Sequence, residues 1–186
     1  MSTSTRPAHS GLPLASTSSS EGGPPKGGSP VRRRAVRALL WSDAGRVLLI
    51  RATTPDTRID IWLPPGGGIE TGETDHQALQ REIWEETGQY LTTDAGPVWW
   101  REHTYAMDGR QVTQTDVFYF LRVPHFEPTM RHNPEQRETD DFQEFRWWTT
   151  REIRREGGIF VPSRIAHFLE PLAAGAVPAS ALDVGR

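Results

Sequence analysis

Apolar residues between positions 31 and 53 fall in two partly alternating runs, "VRRRAVRALLW" and "GRVLLIRA", on either side of "SDAG". A repeat near two, broken by a short polar turn, predicts a β-hairpin. "GPVWWREHTYAM" and "RQVTQTDVFYFLRV" continue the pattern around "DG", a strong hairpin signal. "FQEFRWW" predicts a further strand. In between, the period changes. Ala78, Leu79 and Ile83 share one helical face, Thr74 and Gln77 have the spacing of a capping box, and Gly88 supplies the stop. A second helix is predicted from Thr149 or Thr150, and a third, "SRIAHFLEPLAA", after Pro162. Hairpins alternating with isolated helices predict an α/β chain of the α+β kind, an α/β/α sandwich around a mixed β-sheet.

Composition narrows the class without naming a function. Residues 1–30 are dominated by Ser, Thr, Pro and Gly, too little apolar surface to offset their ordering, and read as a disordered tail. The folded domain is expected over 31–172, with 173–186 a C-terminal tail that frays after about Ala174. A net charge of −3 argues against a protein held to nucleic acid by bulk electrostatics, so no such partner is expected. Arg32, Arg33 and Arg34 read as the solvated start of an edge strand, where charge discourages aggregation. The absence of cysteine excludes disulfides, thiolate metal sites and cysteine nucleophiles. No apolar run nears the roughly 18 residues of a membrane span, so no membrane partner is expected and a cytoplasmic location is the default. Trp99–Trp100 and Trp147–Trp148 predict one core ring and one exposed ring in each pair, because neighbours on a strand face opposite ways.

The chemistry lies in "GGGIETGETDHQALQREIWEETGQ", residues 66–89. Its helix puts Glu82, Glu85 and Glu86 within one turn, although like charges at i and i+4 destabilise an isolated helix by about 0.2–0.5 kcal/mol per pair. A cation would convert that repulsion into coordination. Clustered carboxylate oxygens suit Mg²⁺ or Mn²⁺, and do not suit zinc. Gly66, Gly67 and Gly68 permit positive φ and close backbone approach, which brings peptide carbonyls to the metal side of the helix. Glu73 and Arg81 stand where a pair between them would hold loop to helix.

Gly67, five residues, Glu73, seven residues and then Arg81-Glu82-Ile83-Trp84-Glu85-Glu86-Thr87-Gly88 resembles the Nudix box, the signature of the Nudix hydrolases. One position departs: Gln89 stands where the family usually has an aliphatic residue. The resemblance implies that Glu82, Glu85 and Glu86 bind Mg²⁺ (Mn²⁺ being the alternative) and serve the catalysis. It adds the Gly66 carbonyl as a ligand, and Gly67, Glu73 and Arg81 as residues that order the site. The implied reaction is hydrolysis of a diphosphate linkage in a nucleoside diphosphate joined to another group. Nucleotide sugars, dinucleoside polyphosphates and nucleoside triphosphates all fit that description. The family usually adds an acid from a loop after the central strands, for which Asp141 and Glu144 are the candidates, with Asp140 beside them. Tyr105, sixteen residues beyond Gln89, resembles a substrate-binding tyrosine of Nudix enzymes acting on dinucleoside polyphosphates. A homodimer is common in similar proteins. Two other readings stand beside this one. A non-catalytic Nudix-like nucleotide-binding sensor or scaffold would not need the full acidic set, and an isoprenoid diphosphate isomerase would need a cysteine that this chain lacks.

Overall fold

The computed structural model describes residues 30–54, 57–107, 110–129 and 142–185. Asp140, Asp141 and the tail expected to be disordered, Pro30 aside, lie outside them. The described elements are β1 (Val31–Ser42), β2 (Val47–Thr53), β3 (Asp60–Leu63), α1 (Asp75–Thr87), β4 (Trp99–Met107), β5 (Arg110–Val123), β6 (Phe142–Trp148), α2 (Thr150–Arg155), α3 (Ile165–Ala173) and β7 (Leu182–Asp183). No helix among the described residues is long and apolar enough to cross a membrane.

The strands form one mixed sheet in the order β3-β2-β1-β5-β4-β7, with β6 on the other side of β2. β1 and β5 run parallel along their length, from Val31 opposite Val112 to Ser42 opposite Val123. β4 and β5 form the expected antiparallel hairpin. The β1–β2 hairpin is also present, but its ladder registers only at Trp41 and Val47 before the strands separate. The glycine-rich loop enters the gap. Val36 N–H donates to the Gly67 carbonyl (2.9 Å), Ala38 N–H to Pro65 (2.7 Å), and Ile69 N–H to Arg34 (3.1 Å). β1 is therefore an interior strand, and the edge-strand reading of Arg32–Arg34 is corrected. Those arginines project near the end of a central strand, where Arg34 pairs with Asp75 (2.9 Å) and Arg32 with Glu102 (3.4 Å).

Period-two alternation gives the sheet two apolar faces. Val36, Ala38, Leu40, Leu48, Val117 and Tyr119 meet Ala78, Leu79 and Ile83 of α1 on one. Leu39, Trp41, Val47, Leu49, Trp99 and Phe118 meet Ile153 of α2 and Ile165, Leu169 and Leu172 of α3 on the other. The result is the predicted three-layer sandwich. Leu79 and Ile83 are almost wholly buried, and each contributes about 1.5–3 kcal/mol of apolar transfer that fixes α1 against the sheet. Thr74 forms the capping box with Gln77, and Gly88 ends the helix at φ 72° with its N–H on the Trp84 carbonyl.

Trp99 and Trp148 are core and Trp100 is exposed, as alternation requires, but the expected exposure of Trp147 is corrected: it is half-buried against the α1-side core, and its indole N–H donates to the Phe126 carbonyl (2.9 Å). Two strands escaped the sequence reading. β3 is four residues long, and β7 has two. The frayed end expected after Ala174 is also corrected, since β7 adds in parallel to β4 at Trp99 and Trp100, and Val184 is buried against the α3 side of the core.

Candidate active site

Two glycines allow the loop to lie between β1 and α1. Gly66 has φ 135°, and a Cβ there would sit 2.1 Å from the Val36 carbonyl oxygen. A Cβ at Gly67 would sit 2.5 Å from Glu82 Oε1. Neither position tolerates a side chain without moving β1 or the Glu82 carboxylate. The close approach lets the Gly66 N–H donate to Glu86 Oε2 at 2.6 Å, while the Gly66 carbonyl accepts from the Arg37 guanidinium.

Arg81 organises the other side of the helix. Its guanidinium grips Glu73 with two bonds, Nε to Oε1 at 2.8 Å and Nη2 to Oε2 at 2.9 Å. The same group donates to the Gly68 carbonyl (2.9 Å), to Glu82 (2.8 Å) and to Glu85 (3.3 Å). The predicted Glu73–Arg81 pair is thus present. The hydrogen bond from Arg81 lowers the Glu73 pKa to about 2, and the same bond is the chief cause of a raised Arg81 pKa.

Glu86 is 5% exposed. Burial, followed by the charge of Glu82, raises its pKa to about 8. Burial also raises Glu82, against the opposing hydrogen bond from Arg81. Two buried carboxylates beside a backbone carbonyl are costly unless a cation compensates them. By donor chemistry, Glu82, Glu85, Glu86 and the Gly66 carbonyl fit a hard divalent ion. Arg81 holds Glu82 and Glu85, however, and among the described residues no three acidic or histidine groups stand close enough to hold an ion. The ligand types are right, but the cluster is not assembled in advance.

The family model described as the NUDIX domain matches residues 31–168, a span that contains the sheet, the loop and the acidic helix. The chain belongs to the NUDIX family. Among curated relatives, an RNA pyrophosphohydrolase of Dinoroseobacter shibae is 43% identical over 56 residues, covering 30% of this chain and 34% of that protein. The chain therefore spans about a third of that relative's length. Nucleoside triphosphatase NudI of Escherichia coli is 32% identical over 123 residues, covering 62% of this chain and 81% of that protein. Among solved structures, MutT NUDIX hydrolase from Burkholderia pseudomallei is similar with a TM-score of 0.53 at 26% identity, covering 73% of this chain and 95% of that one.

The Nudix loop and helix line a cleft of about 470 Å³, whose opposite wall carries Arg33, Arg37 and Gln114. Behind that wall is a polar cluster that the sequence reading missed. Asp116 is wholly buried and accepts from Arg101 Nε (2.7 Å) and Gln114 Nε2 (2.8 Å), with Arg37 Nε at 3.6 Å. Burial works to raise its pKa, but Arg37, Arg101 and Gln114 together hold it below the usual value. Burial lowers the pKa of neighbouring His103, and Arg101 adds to the effect, which favours the neutral ring. A signal for the cluster existed. Arg37, Asp116 and Arg101 are in phase with the core residues Leu39, Phe118 and Trp99 of their own strands, so alternation turns three charges inward on neighbouring strands.

Tyr105 does not line the cleft itself; its hydroxyl donates to Gln114 Oε1 (3.0 Å) and its ring stacks on His103. Glu144 lies on β6 with its side chain 46% exposed and paired with Arg51 (3.4 Å), outside the cleft lining. The structure therefore brings together Gly66, Gly67, Arg81, Glu82, Glu85 and Glu86 around the cleft, with Glu73 bound to Arg81, and leaves Glu144 apart.

Proposed function

We propose that this Nudix-type pyrophosphohydrolase cleaves a phosphoanhydride in a nucleotide, with Mg²⁺ or Mn²⁺ held by Glu82, Glu85, Glu86 and the Gly66 carbonyl. The observation that carries the reading is the buried Glu86 carboxylate on the Gly66 N–H, raised to a pKa of about 8 and facing Glu82. A divalent cation, when bound, supplies charge neutralisation on the non-bridging oxygens and acidifies water for attack on phosphorus. The chain's own residues do the rest. Arg81 ties Glu73 and the Gly68 carbonyl to Glu82 and Glu85, which fixes the loop on the helix from which those acids would turn to a bound cation. The acceptor for the water proton is Asp141, Glu144 or one of the helix acids, and the pairing of the half-exposed Glu144 with Arg51 favours the others.

The relatives' names direct the choice of substrates. One is named for nucleoside triphosphates and one for RNA, so phosphorylated RNA ends belong in the panel although net charge gave no reason to expect nucleic acid. The test is to incubate the full chain, in Mg²⁺ and in Mn²⁺, with nucleoside triphosphates, nucleotide sugars, dinucleoside polyphosphates and 5′-triphosphorylated RNA. Cation-dependent hydrolysis of at least one, lost in Glu86→Gln, is expected. Hydrolysis of none would remove the proposal.

A further inference from the structure

We propose that Arg33 and Arg37 form an anion subsite on the wall of the cleft opposite α1, which takes a substrate phosphate beyond those engaged at the acidic helix. The inference rests on the phosphoanhydride reading of the same cleft and names the part of the substrate that the second wall holds. Arg37 is 15% exposed and Arg101 11%, and both are directed at the one carboxylate of Asp116. Arg101 has the closer contact, 2.7 Å against 3.6 Å, and Arg37 also lies in the field of Glu82 and Glu86. His103, beside them, contributes no charge in its favoured neutral form. Two guanidinium groups share the Asp116 carboxylate, so once a cation occupies Glu82 and Glu86, Arg37 is left undercompensated in a desolvated place, where an uncompensated charge is expensive.

That charge lies where a ligand can reach it. Arg37 lines the cleft and reaches the Gly66 carbonyl, at the border of the acidic half. Arg33 lines the same wall, and its Nη2 lies over Gly68, 3.1 Å from where a Cβ would stand. It has no hydrogen-bonded or ionic partner among the described residues. Arginine forks match phosphate oxygens in geometry and charge, with two parallel donors available to one group. The support behind the wall is stiff. Tyr105 holds Gln114, Gln114 holds Asp116, and Asp116 faces Arg37. Tyr105 thereby serves the substrate indirectly, by bracing this wall. One wall that attracts a cation and one that attracts an anion, separated by the Gly66–Gly68 backbone, suit a polyphosphate chain lying across the loop.

The experiment titrates inorganic tripolyphosphate into the full chain in Mg²⁺, for wild type, Arg33→Gln, Arg33→Lys and Arg37→Gln. Each glutamine variant should weaken affinity about tenfold, the worth of one charge-assisted hydrogen bond, and Arg33→Lys should recover part of the loss. Arg33 is exposed, so its variants report on binding even if Arg37→Gln folds poorly. KM then identifies the phosphate. A rise for a nucleoside triphosphate alone assigns the terminal group, and an equal rise for a dinucleoside polyphosphate assigns an internal one. Wild-type affinity in Arg33→Gln and in folded Arg37→Gln would overturn the subsite. Tripolyphosphate binding that depends on these arginines, in a protein that hydrolyses no anhydride, would leave the subsite standing and remove the hydrolase reading instead.

Discussion

Glu86 has a folded pKa of about 8 against an ordinary 4.5, and this difference makes stability depend on pH. Below the ordinary value both folded and unfolded chains carry the proton. Between the two values the unfolded chain has released it and the folded chain retains it, so this group's contribution falls as pH rises through that window and levels off above it. Thermal unfolding in chelator from about pH 5 to about pH 8.5 should show a downward slope in wild type relative to Glu86→Gln. A cation competes with the proton for the same oxygens, so stabilisation by Mg²⁺ should grow over the same range. Glu86→Gln should also lower kcat by about a hundredfold or more, the scale of a lost electrostatic contact to the transition state. Asp116 poses the opposite risk. Asp116→Asn leaves Arg37 and Arg101 buried against a neutral amide, and urea denaturation should show a loss of about 3–5 kcal/mol.

The glycine loop acts as an element in its own right, standing where a strand would continue the sheet beside β1. Its two critical glycines should fail differently. A methyl at Gly66 meets the backbone of β1 and imposes an unfavourable φ, so Gly66→Ala should destabilise the domain by at least about 1–3 kcal/mol. A methyl at Gly67 meets the end of a side chain, the Glu82 carboxylate. Gly67→Ala should therefore keep the melting temperature nearly unchanged while raising the Mg²⁺ concentration needed for half-maximal turnover. Equal losses of melting temperature in the two variants would show that the loop and not the carboxylate yields. The triglycine was legible as a close approach; which atom each glycine accommodates was not, because that depends on how far β1 separates from β2.

At the scale of the whole molecule, the chain end contributes to the core. Removing residues 176–186 deletes β7 and exposes the space filled by Val184, a loss of about 2 kcal/mol or more from apolar burial alone. The melting temperature should fall by roughly 5 °C or more for a domain of this size, whereas removal of residues 1–29 should leave it unchanged. The contrast has a physical origin. Val184 is apolar but preceded by a short loop-like stretch with no periodicity, so only its contact with the β4 side of the sheet shows it to be core.

Local order was written in short-range patterns: the capping box at Thr74, the stop at Gly88, the alternation of β1, β5 and β6, and the acid spacing at Glu82, Glu85 and Glu86. Each depends on residues within a few positions of one another, where backbone geometry alone dictates the outcome. Strand order depended on something else. Parallel pairing of β1 with β5 joins residues about eighty positions apart, and no local period encodes it. That pairing made β1 an interior strand and set Arg37 beside Asp116. The spacing of the acids marked the helix proposed to bind a cation, but the wall it faces was assembled from three strands whose inward charges acquire meaning only as neighbours.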